Sequence, residues 1–195
     1  MNMRSFITAA VLVSFAIALP QLAKAQPQLP RKAPELTIAE PSGQKTLLSS
    51  YKGKVVVLAF VSTICPHCQR ECQMLTQLYK ETKPSGVQML AVAFNDNAPA
   101  LVANFVRDYQ VGFPVGSAMP DTVMNFLGFS IMDRYVVPQV AVIDRKGMIR
   151  AQSGPQGDPN LQDAGFLKTL IDTLAKEGTT TSKATPKPKV SSNLH

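Results

Sequence analysis

Lys54-Val-Val-Val-Leu-Ala-Phe-Val-Ser-Thr-Ile-Cys65-Pro-His-Cys68-Gln-Arg-Glu71 is the stretch that decides how this chain folds. Lys54 to Val61 is an apolar run of strand length, the pattern of a strand covered on both faces. Pro66 then suits the first turn of a helix, where its missing N–H would be unpaired anyway. As far as about Thr82, Cys68, Cys72, Leu75 and Tyr79 recur at helical spacing on one stripe, with Gln69, Arg70, Gln73 and Lys80 off it. Pro84 and Gly86 end the segment. Val87 to Phe94 is a second apolar run. Strand, helix and strand in this order make a βαβ unit, whose crossover is right-handed and whose strands are therefore parallel.

Further on, Ala98 to Gln110 reads as a helix through Leu101, Val102, Phe105 and Val106. A short strand is expected at Phe113–Val115 and a short helix from Asp121 to Leu127. Gln139 to Ile143, the turn Asp144-Arg-Lys-Gly147 and Met148 to Gln152 form a hairpin, with Gly147 supplying the positive φ its turn needs. A last helix from Leu161 to Glu177 is expected to bury Leu167, Leu170, Ile171 and Leu174, with Gly178 placed to cap it. There are no repeats. The order β-α-β-α-ββ-α makes an α/β fold with a central mixed sheet flanked by helices.

The chain has 195 residues, with 20 Lys and Arg against 13 Asp and Glu, a net charge of +7. That charge sits at the ends: residues 1–25 hold Arg4 and Lys24, residues 178–195 hold Lys183, Lys187 and Lys189, and neither stretch holds an acid. The part between is near neutral, and with no Trp and no basic block interleaved with aromatics it gives a nucleic-acid role no support. Arg4, the 14-residue apolar run Phe6 to Leu19 and Ala23-Lys24-Ala25 have the layout of a secretory signal with an A-x-A cleavage site. The alternative, an uncleaved anchor helix, would ask a span of a run shorter than the roughly 18–20 residues a bilayer needs. The expected layout is signal peptide 1–25, linker 26–33, domain 34–177 and a basic, disordered tail 178–195. Export puts the cysteines where disulfides persist.

Cys65-Pro66-His67-Cys68 follows the first strand and opens its helix. A thiol at a helix N-terminus faces unpaired N–H groups and the positive end of the helix dipole, which favours its thiolate. Cys65 is therefore the candidate nucleophile. Cys68, about one turn further in, is the candidate resolving thiol, and two intervening residues let the sulfurs meet. His67 is expected to add a donor and partial positive charge beside Cys65. The alternative of a zinc half-site lacks a second ligand pair, since only Cys72, His67 and His195 remain. Gln69 stands where c-type haem attachment needs His.

Phe60-Val-Ser-Thr-Ile-Cys65-Pro-His-Cys68-Gln-Arg-Glu71, with Val137-Pro138 ahead of Gln139–Ile143, resembles the thioredoxin superfamily, and within it the exported TlpA/ResA-like thiol-disulfide oxidoreductases of the wider AhpC/TSA redoxin group. The likeness spans roughly residues 34 to 176. It implies a thioredoxin-like fold, a redox disulfide between Cys65 and Cys68, no bound cofactor and no metal. It also implies a cis Pro138 lying against the cysteines, with the Val137 backbone pairing to a substrate strand. Glu71 corresponds to an acid that tunes the thiols, and a carboxylate there can take the proton of Cys68; a solvated helix acid is the plain alternative. Val61 and Ile64 stand where the family has tryptophans, Gln73 where it has a helix-kinking proline, and Ala59 where thioredoxin keeps a buried Asp.

The Pro-His dipeptide and the Val before Pro138 instead resemble the oxidant DsbA, although the segment from Asn95 to Val137 is too short for the helical insertion of such chains. Thioredoxin and DsbA differ by about 150 mV in potential, roughly 7 kcal/mol for two electrons. The two likenesses leave reduction and oxidation both open; the turn points to a more oxidising potential than that of a typical TlpA-like protein. Implied partners are cysteine-containing exported proteins and a redox partner that regenerates the thiols or disulfide, with membrane contact only through an uncleaved signal. Two further readings use the same thiols. A peroxide-reducing redoxin would need Pro where Leu58 stands. A Cu(I) carrier would use Cys65, His67, Cys68 and Cys72. Cys72 otherwise fills the core as a small apolar side chain.

Overall fold

The computed structural model describes residues 27–130 and 132–177. The expected signal peptide, the basic tail and the Gly178 cap lie outside the described residues. The strands are β1 (Arg31–Lys32), β2 (Thr37–Ala39), β3 (Lys45–Leu47), β4 (Val55–Val61), β5 (Val87–Ala93), β6 (Val115–Ser117), β7 (Gln139–Ile143) and β8 (Met148–Gln152). The helices are α1 (Pro66–Thr82), α2 (Ala98–Asp108), α3 (Pro120–Leu127) and α4 (Ala164–Glu177).

All eight strands form one sheet in the order β1-β8-β7-β4-β5-β6-β2-β3. β4–β5 and β5–β6 are parallel and the other pairs antiparallel, so the sheet is mixed. Every residue of β4 and β5 is buried, as their uninterrupted apolar runs require of central strands with both faces covered. The two-residue period divides the core: Val55, Val57, Ala59 and Val61 face the layer of α1, α2 and α4, where Leu75, Phe105, Leu167 and Ile171 pack. Val56, Leu58 and Phe60 face the other layer, with Leu36, Ile38, Phe126 and Leu127. The Phe60 and Phe126 rings are 5.3 Å apart at their centroids. This is the α/β fold, a central mixed sheet flanked by helices, expected from the sequence.

The expected elements differ from the observed ones in places. The short strand lies at Val115–Ser117 rather than at Phe113–Val115, in register with Ala91–Ala93. The last helix is not continuous from Leu161: Asn160–Gln162 form one 3-10 turn, Asp163 is extended, and its carboxylate accepts from the Phe166 N–H at 2.8 Å, so the helix restarts at Ala164. Leu170 is only partly buried. Strands β1 to β3 have no counterpart in the sequence reading, and β1 lies within the stretch taken as a linker. The turn at Gly147 forms with φ +80°.

Candidate active site

The loop that leaves β4 at its C-terminal end is a tight turn closed by the Cys65 N–H donating to the Ser62 carbonyl at 3.2 Å. Cys65 is the residue immediately before the first turn of α1, with extended backbone (φ −89°, ψ 119°), and Pro66 begins the helix. The helix closes on it through the Gln69 N–H, which donates to the Cys65 carbonyl at 3.1 Å. Cys65 is half-buried and Cys68 wholly buried. Both are free thiols, and the Cys68 thiol is held up by burial, with the neighbouring Cys65 adding to it. A counter-effect comes from the Ser62 N–H, which points at the Cys68 sulfur from 3.4 Å and favours its thiolate.

Across from the helix end, the Val137–Pro138 peptide is cis and the Cys65 sulfur lies 3.9 Å from the Val137 carbonyl oxygen. Pro138 and Gln139 are buried and Val137 partly so. The structure thus brings Cys65, Pro66, Cys68, Val137 and Pro138 to one place. His67 is exposed, and its Nδ1 accepts from the Arg70 guanidinium at 3.0 Å. Among the described residues no hydrogen bond joins His67 to Cys65, so the imidazole does not supply the donor expected beside that sulfur, and its Nδ1 serves Arg70 as an acceptor instead.

Glu71 lies on the inner face of α1, one turn past Cys68, and is 5% exposed. One of its carboxylate oxygens has no hydrogen-bond partner, and burial pushes the carboxyl up to about 7. The solvated-acid alternative for Glu71 therefore does not describe its surroundings. Its field acts on Cys72, whose thiol burial and this carboxylate push up to about 12. Cys72 is fully buried in the core layer beneath α1. Among the described residues, no group of three or more His, Cys, Asp or Glu side chains is placed to hold a metal ion.

Two amides beside apolar strands that the sequence reading passed over, Asn95 and Gln139, hold the site together with that of Gln69. Asn95, just after β5, accepts the Thr63 N–H at 2.9 Å and exchanges hydrogen bonds with its hydroxyl. The Gln69 amide donates to the Thr63 carbonyl at 3.2 Å. On the opposite wall, the buried Gln139 amide donates to the carbonyls of Val136 (2.7 Å) and Pro155 (3.2 Å). The only sequence signal for either is a polar amide directly beside an apolar strand, which many loops share.

A sequence model of the AhpC/TSA family matches residues 29–152. The thiol-disulfide oxidoreductase ResA of a Bacillus cereus strain is 35% identical over 137 residues, 68% of this chain and 73% of that protein. ResA of Bacillus thuringiensis subsp. konkukian is 29% identical over 134 residues, again 68% and 73% of the two chains. Among solved structures, a thiol:disulfide interchange protein of the thioredoxin family from Chlorobium tepidum TLS superposes with TM-score 0.62 at 23% identity, over 76% of this chain and 98% of that one, a likeness of fold. The chain belongs to the AhpC/TSA family, as a ResA-like thiol-disulfide oxidoreductase of thioredoxin-like fold.

Proposed function

We propose that the protein is exported, works in an extracytoplasmic compartment such as a periplasm, and exchanges a Cys65–Cys68 disulfide with cysteines of other exported proteins. The observation that carries this reading is the placement of Cys65 at the start of α1, in contact with a buried Cys68 thiol on one side and the Val137 carbonyl on the other. No described helix is long and apolar enough to cross a membrane.

In the reducing direction, the Cys65 thiolate attacks a substrate disulfide, forming a mixed disulfide and releasing one substrate thiolate, which takes up a proton. Cys68 then loses its proton and attacks the Cys65 sulfur. The Cys65–Cys68 bond closes, the second substrate sulfur leaves, and two electrons have passed to the substrate. Burial holds the Cys68 thiol protonated until that second step, and the Ser62 N–H steadies its thiolate as it forms. Glu71, ionising near pH 7 one turn further along α1, serves as the store for that proton. In the oxidising direction the same steps run backwards, and a redox partner restores the starting state in either case.

Replacing Cys68 by Ala removes the resolving attack, so partners should accumulate as mixed disulfides on Cys65. Cys65→Ala should trap none. If Cys68→Ala and Cys65→Ala chains capture the same small background, Cys65 is not the nucleophile.

A further inference from the structure

Thr63 is the inner corner of the turn that presents Cys65. It is almost fully buried, whereas its neighbour Ile64 is 74% exposed. A buried turn residue must find partners for its N–H, carbonyl and hydroxyl, and no strand is there to supply them. All three are met by side chains: Asn95 Oδ1 takes the N–H, the Asn95 amide and the Thr63 hydroxyl pair with each other, and the Gln69 amide takes the carbonyl. Asn95 is itself anchored, its amide also donating to the Asp96 carbonyl at 2.9 Å. The residue before Thr63 in this turn is Ser62, and its N–H is the backbone donor that meets the Cys68 sulfur.

We infer that Asn95, with Gln69, is a positioning residue for the resolving step: by fixing Thr63 it holds the Ser62 N–H on the Cys68 sulfur. The inference rests on the Cys65–Cys68 reading above and adds to it a residue 27 positions beyond Cys68, on a different loop. Its consequence is selective. Cys65 stands at the N-terminus of α1, and the side-chain hydrogen bonds of Asn95 go to Thr63 and Asp96 rather than to that helix. Cys68, buried, depends on the one backbone donor that the turn provides. Loosening Thr63 should therefore slow the attack of Cys68 and leave the attack of Cys65 alone.

The reaction of the reduced full-length protein with 5,5′-dithiobis(2-nitrobenzoate) separates the two. Cys65 attacks the reagent and releases one thionitrobenzoate; Cys68 then attacks the resulting mixed disulfide, closes Cys65–Cys68 and releases the second. Asn95→Ala should slow the second release roughly tenfold, the scale of losing the Ser62 N–H hydrogen bond to the Cys68 sulfur, and change the first by less than about twofold. Asn95→Asp keeps the acceptor for the Thr63 N–H and should stay within about threefold of the parent in both phases. If Asn95→Ala does not fold, Gln69→Ala, which cuts only the bond to the Thr63 carbonyl, should still slow the second phase several-fold. An unchanged second phase in these variants, or equal slowing of both phases, overturns the inference. Failure of the unmodified protein to show two phases, with Cys65→Ala equally reactive, overturns the reading of the site itself.

Discussion

The Cys65 sulfur and the Val137 carbonyl oxygen lie 3.9 Å apart although 72 positions separate the two residues in the chain. β4 and β7 are adjacent antiparallel strands, with Phe60 opposite Gln139, so the loop leaving β4 and the loop entering β7 emerge at the same end of the sheet. The site is therefore a consequence of strand pairing, and substitutions on either loop act on it.

Gln139 is the first test of that view. Gln139→Leu removes the donors to Val136 and Pro155 while keeping a buried side chain of similar size. Urea denaturation should show a loss of about 1–2 kcal/mol, partly offset because an unpartnered buried oxygen is removed as well. Disulfide exchange with a peptide substrate should slow several-fold, and an unchanged rate would show that the Val137 loop needs no such anchor.

Glu71 should impose a pH dependence on stability. Its folded-state carboxyl lies near 7, above its ordinary value of 4.5, so the folded protein holds the proton more tightly than the unfolded chain. Stability is complete below about pH 4.5 and falls as the pH rises towards 7. Relative to Glu71→Gln, the parent should lose on the order of 3 kcal/mol between pH 4.5 and 8. Parallel denaturation curves for the two proteins across that range would refute the burial-driven shift.

Cys72 should be chemically silent in the folded state. With its thiol pushed up to about 12, only about one molecule in 10⁴ is a thiolate at pH 8. Brief iodoacetamide treatment should leave Cys72 unmodified in the folded protein and modify it fully in denaturant, read by peptide mass spectrometry. Cys72→Ala should cost roughly 1 kcal/mol and Cys72→Ser more, since a hydroxyl would be buried there. Neither should change disulfide exchange; a changed exchange rate in Cys72→Ala would give this thiol a redox role.

Gly116 tests the docking of β2 against β6. A methyl group there would sit 2.4 Å from the Ile38 side chain and 2.6 Å from the Ala39 carbonyl oxygen. The second contact is backbone and cannot swing aside, so Gly116→Ala should destabilise by about 2–3 kcal/mol. A variant as stable as the parent would mean that β2 does not pack there.

The direction of exchange is settled by the potential. The Cys-Pro-His-Cys turn leads us to expect a value less negative than the roughly −270 mV of thioredoxin. A glutathione titration followed by alkylation gives it directly, and a value near thioredoxin's would defeat the expectation.

What the residues disclosed before folding follows the range of the forces involved. β4, α1, β5 and the β7–β8 hairpin were readable because each carries its own periodicity or turn chemistry within a dozen residues. β1, β2 and β3 were not, because two or three residues carry no period, and they become strands only by pairing with β8, β6 and each other. The restart of α4 was hidden because a helical stripe runs through Leu161, and only the Asp163 side chain, capping the Phe166 N–H, shows the break.

By itself the sequence determined the central βαβ unit, the family, and the pair Cys65 and Cys68, because a thiol at the start of a helix and a second one turn later are neighbours through local geometry alone. Tertiary structure decided the rest. It buried Glu71 and raised its carboxyl, turned His67 to Arg70, and brought Asn95 to Thr63 and Val137 to Cys65. The long-range contacts among these depend on which strands lie side by side, and burial on what the sheet and its helices cover; neither is written in the spacing of one segment.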